Sequence, residues 1–243
     1  MSLYDALREF AASLYVIDSN IYQLLYKECS NFLSIEDREI IDATNNLGKQ
    51  PCDHSLREEA RDIYLKYIRQ PFKLDKIVEL FSMGDEKYSK GIIDICLSKA
   101  SANDPKQIAL EWNNGGRSKL DYRGRYYFDK RYECYEFIFQ LIERENYKGI
   151  EQLLKSNDEI FHICLYHRML TKDHIKDLLT ISSKYIESFL EEYAPDHLWI
   201  YYSAQNNYAK SADKLNKMIN DPNKDFELYK RKKWLLYVSQ LAS

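Results

Sequence analysis

Pro195–Ile219, with the sequence PDHLWIYYSAQNNYAKSADKLNKMI, is the stretch that decides the fold class. Its bulky residues Trp199, Tyr201 and Tyr202 precede a pair of asparagines, and small residues lie on both sides of that pair. On an antiparallel helical hairpin, the rings of one helix would pack into the recess left by small residues of the other. Those small residues are Ala204, Ala209, Ser211 and Ala212. The stretch therefore predicts a helical hairpin, and if Trp199 is buried, its replacement by alanine should destabilise the protein by about 3–5 kcal/mol.

The rest of the chain has the same helical character. Only 7 Gly and 5 Pro occur among 243 residues, which fits helices joined by short turns. No stretch alternates convincingly between apolar and polar residues with a period of two, as a half-buried strand would. The 21 Tyr suit half-buried positions, where the ring packs and the hydroxyl stays in water. Much of the chain is therefore expected near a surface, which an elongated shape would provide.

Three turns of the chain resemble one another, because each places a tyrosine and then a small residue between two helical segments. Tyr88, Tyr147 and Tyr208 recur at a spacing of about 60 residues, roughly two helix pairs of an α-solenoid. The sequence thus predicts an all-α fold, an elongated irregular α-solenoid of antiparallel helix pairs. It would form one domain over residues 1–243, with a flexible loop at about 113–125. The residues expected to pack between helices are Trp199, Tyr202, Tyr208, Ala212, Leu215, Tyr88, Tyr147 and Trp234.

Composition argues against several classes of function. The formal net charge is −3, so bulk electrostatics do not predict nucleic-acid binding. No apolar run approaches the length that spans a bilayer, and no transmembrane segment is predicted. The 5 cysteines are odd in number and widely spaced, which favours reduced, buried thiols over a disulfide framework.

One cluster has residue types that could do chemistry, and its spacing argues against that use. FHICLYHRMLTKDH contains His162, Cys164, His167 and His174. His162 and His167 are five positions apart and fall on different faces of a helix, whereas zinc ligands usually share a face. A Cys–His nucleophile would also need an oxyanion site and an orienting group, which nothing marks. The sequence predicts no catalytic, cofactor or metal residues, no small-molecule substrate and no enzyme.

The loop between residues 113 and 125 is the candidate binding site. Basic and aromatic residues alternate through it and into the segment that follows; the candidates are Arg117, Tyr122, Arg123, Arg125 and Tyr126. Arginine and tyrosine are favoured anchors of protein interfaces, and the same mixture could follow a phosphate backbone. A solvated loop whose arginines pair with nearby acidic residues is the simpler explanation of the pattern, and it is favoured. If the site binds anything, a protein partner is expected.

The segment Tyr229–Val238, YKRKKWLLYV, sets four cations beside Trp234 and an apolar face. A terminal solenoid helix that covers the last layer of the core would have this pattern. A membrane-surface helix or a nuclear-import signal would resemble it as well.

The C-terminal half resembles one known family. The sequence DHLWIYYSAQNNYAKSADKLNKMI, followed by YKRKKWLLYVSQLA, is similar to the C-terminal part of the large inner-ring scaffold nucleoporins without FG repeats. That family is called the 155-kilodalton nucleoporin in vertebrates and the 157- and 170-kilodalton pair in yeasts. The positions that carry the resemblance are Leu198, Trp199, Tyr202, Tyr208, Ala212, Leu215, Arg231, Tyr237 and Leu241. Ser211 and Asp213 depart from the alanine-rich helix of the family pattern.

The resemblance implies a structural scaffold component of the inner ring of the nuclear pore complex, at the nuclear envelope. It implies that the chain is the C-terminal solenoid fragment of a larger protein. The implied partners are other nucleoporins, especially flexible linker nucleoporin segments, with a role in supporting nucleocytoplasmic transport. A helical-repeat adaptor or coat subunit in vesicle trafficking is the alternative, because coats and pore scaffolds share this style of solenoid.

Overall fold

The part of the chain that the structure describes is almost wholly helical, and several of its helices begin at a capping side chain. The computed structural model describes residues 6–7, 9–11, 13–14, 19–28, 33–49, 53–83, 89–115, 121–144, 150–172 and 174–219. Across these ranges no β-strand occurs, and the all-α prediction is confirmed. The predicted packing residues Tyr88, Tyr147 and Trp234 lie outside the described residues.

The helices cluster into two compact units, Met1–Leu153 and Leu154–Ser243. The described helices of the first unit are α1 (Ser19–Glu28), α2 (Ile35–Gly48), α3 (His54–Lys66), α4 (Leu74–Ser82), α5 (Ser89–Asn103), α6 (Ile108–Asn114), α7 (Tyr122–Arg144) and α8 (Ile150–Leu153). Those of the second unit are α9 (Glu159–Thr171), α10 (Ile175–Thr180), α11 (Ile186–Tyr193), α12 (Leu198–Ala204) and α13 (Tyr208–Ile219), with a 3-10 turn at Pro195–His197. The assignment of residues 1–243 to one domain stays a prediction.

Short polar side chains start the helices by accepting hydrogen bonds from backbone N–H groups that have no partner within the helix. The Ser34 hydroxyl accepts from the backbone N–H of Asp37, and the Asp37 carboxylate accepts from that of Ser34, so the two form a capping box at α2. Asp53 caps α3 by accepting from the N–H of Leu56 at 2.9 Å.

The core of the first unit centres on α5 and α7, which pack against each other along their length. Ile95 of α5 and Ile138 and Phe139 of α7 are fully buried. On the other side of α5, α3 contributes Tyr64, whose ring is fully buried and whose hydroxyl hydrogen-bonds to Thr44 of α2 at 2.7 Å. Burial of Tyr64 therefore leaves its polar atom satisfied.

The stretch Pro195–Ile219 forms the predicted hairpin, in which α12 and α13 pack together. The turn is a Schellman motif. Asn206 has a φ of 57°, the N–H of Asn207 donates to the carbonyl of Tyr202 at 2.8 Å, and the N–H of Asn206 donates to that of Ser203 at 3.0 Å. Asparagine tolerates this left-handed backbone better than most residues. The pair of asparagines thus ends one helix, and the side chain of Asn207 caps the next by accepting from the N–H of Lys210.

The recess between α12 and α13 is made by fewer small residues than the sequence suggested. Ser211 is fully buried, and its hydroxyl donates to the carbonyl of Trp199 at 2.7 Å. Ala212 packs against the buried pair Leu215 and Met218, as does Trp199. The proposed role of Ala204 and Ala209 in this recess is wrong, because both are exposed.

Replacing Trp199 by alanine should destabilise the protein by about 2 kcal/mol, less than full burial would give. Its side chain is half-buried, so only part of its apolar surface leaves water on folding. Urea unfolding followed by circular dichroism measures the change. Ala209 is an exposed residue of the same hairpin. Ala209→Gly is the control, and it should cost only the loss of helix propensity, about 1 kcal/mol. A Trp199→Ala variant as stable as the parent would show that the indole contributes nothing to this hairpin.

Candidate partner-binding site

The candidate site lies on the first two turns of α7. Tyr122, Arg123, Arg125 and Tyr126 are all exposed there. The exposed fraction is 76% for Tyr122 and 57% for Tyr126, so both rings present apolar surface to solvent. Arg117 lies outside the described residues.

The loop is shorter than the predicted range 113–125, and this boundary is corrected. Asn113 and Asn114 belong to the last turn of α6, which ends where the N–H of Gly115 donates to the carbonyl of Glu111 at 2.9 Å. Helix α7 begins at Tyr122 because Asp121 caps it, accepting from the N–H of Gly124 at 2.9 Å. A glycine after one helix and an aspartate before the next are ordinary end signals. The candidate tyrosines and arginines at 122–126 are therefore helical.

The charges on this face do little to hold it in place. Arg125 Nε lies 3.7 Å from Asp129 Oδ2, and both side chains are more than half exposed, so this ion pair contributes little to stability. The ring of Tyr126 meets the ring of Tyr127 edge to face, with centroids 5.4 Å apart. Packing further along the helix fixes the position of the face.

Gly124 sets how closely α6 and α7 approach. A Cβ atom at this position would lie 2.4 Å from Cβ of Trp112 and 2.5 Å from two atoms of its ring system. Trp112 also packs against Phe128 of α7, with ring centroids 5.3 Å apart. The indole is therefore held between the backbone of Gly124 and the ring of Phe128.

A buried ionic network fixes the other end of α6 to α7. Arg131 Nη1 lies 3.3 Å from Asp104 Oδ2, and the two side chains are 7% and 0% exposed. Arg131 Nε donates to the hydroxyl of Tyr135 at 2.8 Å. The Asp104 carboxylate also accepts from the N–H groups of Ile108 and Ala109, at 2.8 and 3.1 Å, so it caps α6 as well. One carboxylate thus joins the start of α6 to the middle of α7.

Neither this network nor the role of Gly124 could be predicted from the sequence. Asp104–Pro105 signalled a helix start, and the structure places that aspartate at the start of α6. Nothing in the local sequence paired Asp104 with Arg131, which is 27 positions away, because that pairing depends on how the helices pack.

A shallow pocket of about 160 Å³ lies between one side of α6 and the N-cap residue of α7, which immediately precedes Tyr122 in the chain. Its lining residues are Ile108, Glu111, Trp112, Gly115 and Asp121. This volume is below the 300–1,000 Å³ typical of sites for drug-sized ligands. A pocket of this size accommodates a single side chain of a partner.

The histidines of α9 do not share a face. The ring of His162 is fully buried, with Nε2 2.8 Å from the carbonyl of Ser156 and Nδ1 3.0 Å from the hydroxyl of Tyr166. A carbonyl only accepts, so Nε2–H donates to it and Nδ1 accepts from Tyr166. Burial lowers the pKa of His162, which favours this neutral form. His167 instead meets the rings of Phe189 and Tyr193.

The remaining candidates for metal binding or thiol chemistry are His174, which contacts an acidic side chain, and the described free cysteines, which are buried. His174 Nδ1 lies 3.0 Å from Asp177 Oδ2. Within the described ranges, no group of three or more His, Cys, Asp or Glu side chains is arranged to hold a metal ion. Cys96, Cys134 and Cys164 are buried free thiols, and burial raises the pKa of Cys134 to about 11. Such thiols remain protonated and unreactive at neutral pH.

Tyr202 connects three helices of the second unit through polar contacts. Its hydroxyl donates to Glu187 Oε1 of α11 at 2.8 Å, and Lys210 Nζ of α13 donates to the same oxygen at 2.9 Å. The Lys210 ammonium, and then the Tyr202 hydroxyl, lower the pKa of the Glu187 carboxyl. Tyr208 makes a more local contact, since its hydroxyl donates to Asn206 Oδ1 in the adjoining turn.

Packed helix pairs, with no β-strand among the described residues, place this chain in the all-α class. The model of a known family, described as non-repetitive/WGA-negative nucleoporin C-terminal, matches residues 16–235. The chain belongs to this nucleoporin family.

Curated relatives agree with this membership. A probable nucleoporin of Schizosaccharomyces pombe is 29% identical over 219 residues, which cover 79% of this chain and 16% of that protein. Nucleoporin NUP170 of Saccharomyces cerevisiae is 26% identical over 252 residues, covering 87% of this chain and 17% of that protein. The chain thus spans about a sixth of the length of these two relatives. The predicted location, the nuclear pore complex at the nuclear envelope, is confirmed.

Solved structures share the fold. The solenoid of Nup170 from Chaetomium thermophilum superposes with a TM-score of 0.74 at 21% identity, covering 95% of this chain and 34% of that one. A C-terminal domain of the same protein, solved in complex with Nup145N, gives a TM-score of 0.65 at 21% identity, covering 77% of this chain and 41% of that one. The predicted α-solenoid is confirmed. Among the residues that the structure describes, no helix is both long and apolar enough to traverse a bilayer.

Proposed function

We propose that this protein is a non-catalytic scaffold component of the inner ring of the nuclear pore complex. In this role it binds flexible linker segments of other nucleoporins and supports nucleocytoplasmic transport. The observation that carries the proposal is membership of the nucleoporin family over residues 16–235. That membership favours a pore scaffold over a subunit of a vesicle coat. The relatives reported above are nucleoporins rather than enzymes.

The exposed face of α7 is the proposed docking site for such a segment. Tyr122 and Tyr126 are four positions apart, so their rings lie on one side of the helix, and both are mostly exposed. Arg123 and Arg125 are also exposed on these turns, and Arg117 is the remaining predicted candidate. Tyrosine and arginine often carry much of the binding energy of an interface. A flexible segment can follow such a face without a deep pocket. The Chaetomium Nup170 domain solved with Nup145N supports the choice of occupant.

Fluorescence anisotropy with overlapping labelled peptides tests this proposal. The peptides should cover the Nup145N-type nucleoporin of the organism from which this chain comes. The Chaetomium Nup170–Nup145N pair is the positive control. At least one peptide is expected to bind. Tyr122→Ala combined with Tyr126→Ala should weaken that binding by about tenfold or more and leave the melting temperature unchanged. Leu24→Ala, which removes an apolar side chain that is 59% exposed, is the matched control and should leave the affinity unchanged.

Two results would contradict the proposal, each in a different part. If no peptide binds while the Chaetomium pair does, the proposed partner is wrong. If a peptide binds the parent and the double variant with the same affinity, the proposed face is wrong while the partner stands.

A further inference from the structure

One side of α6 and the N-cap residue of α7 line the pocket of about 160 Å³. The tyrosine face is the exposed side of α7 that carries Tyr122 and Tyr126. Ile108, Glu111, Trp112 and Gly115 follow the helical spacing of three and four positions, so they share one side of α6. Asp121, the N-cap of α7, completes the lining. The pocket therefore combines an apolar side, from Ile108 and Trp112, with two carboxylates.

The aromatic wall of the pocket is held rigidly in place. Trp112 is half-buried and lies between the Gly124 backbone and the Phe128 ring. An indole fixed in this way loses little conformational freedom when a ligand stacks on it. Tryptophan is also the aromatic side chain that attracts cations most strongly.

The two carboxylates give the pocket its charge preference. Glu111 and Asp121 are both exposed at the pocket. Asp121 Oδ1 accepts from the N–H of Gly124, and a carboxylate has about four acceptor positions, so this capping bond leaves it capacity for a further donor. A cationic group is the complement of an aromatic wall beside two carboxylates.

We propose that this pocket binds an arginine side chain of a partner protein segment. The methylenes of the arginine would pack against Ile108, its guanidinium plane would stack on the Trp112 indole, and its N–H groups would donate to Glu111 and Asp121. Arginine fits better than lysine because its planar, weakly hydrated fork both stacks on aromatic rings and pairs with carboxylates. The 160 Å³ volume suits one such side chain rather than a whole small molecule.

This inference deepens the proposed function, on which it rests for the identity of the partner. It adds a recognition element for a docking segment that contacts the tyrosine face: a basic residue placed to reach the pocket. The chemistry of the pocket itself can be tested without any nucleoporin partner.

The test is an NMR titration of ¹⁵N-labelled protein with N-acetyl-arginine methylamide, and with the citrulline analogue as a neutral isostere. The chain contains 3 Trp, so few indole N–H signals occur, and Trp112→Phe assigns the relevant one. The Trp112 indole signal is expected to move with the arginine probe, with a Kd in the millimolar range. The citrulline probe should move it far less, and the Trp199 signal should not move with either probe.

Charge-removing variants separate recognition from folding. Glu111→Gln combined with Asp121→Asn should weaken binding of the arginine probe by about fivefold or more. Asparagine is as good an N-cap as aspartate, so α7 should remain folded. Glu192→Gln, at an exposed position in the second unit, is the control and should leave binding unchanged.

The proposal is overturned if the Trp112 signal does not respond to the arginine probe, or responds equally to citrulline. It is also overturned if the double variant binds the probe as well as the parent does. Binding of a linker peptide to the tyrosine face is measured independently, so failure of this inference is distinguishable from failure of the proposed function.

Discussion

Arg131→Ala is expected to reduce the free energy of unfolding by about 3–5 kcal/mol, the range for removing one partner of a buried ion pair. The cost arises because the Asp104 side chain, which is 0% exposed, loses the cation 3.3 Å away and remains buried. The Tyr135 hydroxyl loses the Arg131 Nε–H donor at the same time. Since Asp104 also caps α6, the loss should loosen the contact between α6 and α7.

Urea unfolding of the parent, Arg131→Ala, Asp104→Asn and the double variant would measure this network as a double-mutant cycle. The double variant should be more stable than the sum of the single effects predicts, with a coupling energy of about 1–3 kcal/mol. Asparagine retains an oxygen that can accept from the N–H of Ile108 but not a second one for the N–H of Ala109. That loss is common to the single Asp104→Asn variant and the double variant, so it cancels in the coupling energy. Arg123→Ala, at an exposed position on the same helix, should change stability by no more than about 0.5 kcal/mol. Additive effects at Asp104 and Arg131 would show that the two residues do not interact in solution.

Gly124→Ala is expected to destabilise the protein by about 3 kcal/mol, at the upper end of the range for overpacking. The added Cβ would lie 2.4 Å from Cβ of Trp112, an atom that cannot move without its backbone. Helix α6 or α7 must therefore shift, which also disturbs the packing of Trp112 on Phe128. In an open helical position the same change would stabilise by roughly 0.5–1 kcal/mol through helix propensity, so the steric cost reverses the usual sign.

Gly48→Ala is the matched control for that substitution. A Cβ at Gly48 would meet only Leu80 Cδ2, at 3.9 Å, which is ordinary van der Waals contact. Thermal unfolding of both variants should show a large loss for Gly124→Ala and little change or a small gain for Gly48→Ala. Equal melting temperatures for the two variants would mean that α6 and α7 are not in close contact.

The sequence predicted the helical hairpin correctly because the signals involved are local. Bulky rings before the turn and small residues around it indicated two packed helices, and two asparagines marked the turn between them. The structure shows the same asparagines ending α12 and capping α13. The error over Ala204 and Ala209 has a physical reason. A small residue forms a recess only if it faces the neighbouring helix, and residue size alone does not give that direction.

The spacing of the histidines was informative because spacing along a helix, unlike residue size, gives the relative directions of two side chains. Five positions on a helix place two side chains on different sides, and His162 and His167 indeed meet different rings. The predicted loop boundary at 113–125 was wrong because Gly115 and Asp121 are helix caps, so the residues before Gly115 and after Asp121 are helical. Glycine after a helix and aspartate before one are signals that the sequence itself contains.

By itself, the sequence determined the helical class, the hairpin at Pro195–Ile219 and the family, since these depend on composition, local turn signals and similarity along the chain. Only the tertiary structure decided that Asp104 pairs with Arg131, that Gly124 sets the distance between α6 and α7, and that Trp112 shares a pocket with two carboxylates. These features join residues from 9 positions apart, as for Trp112 and Asp121, to 27 positions apart, as for Asp104 and Arg131. Helix packing brings them together, and local propensities carry no information about which side chains such packing will join.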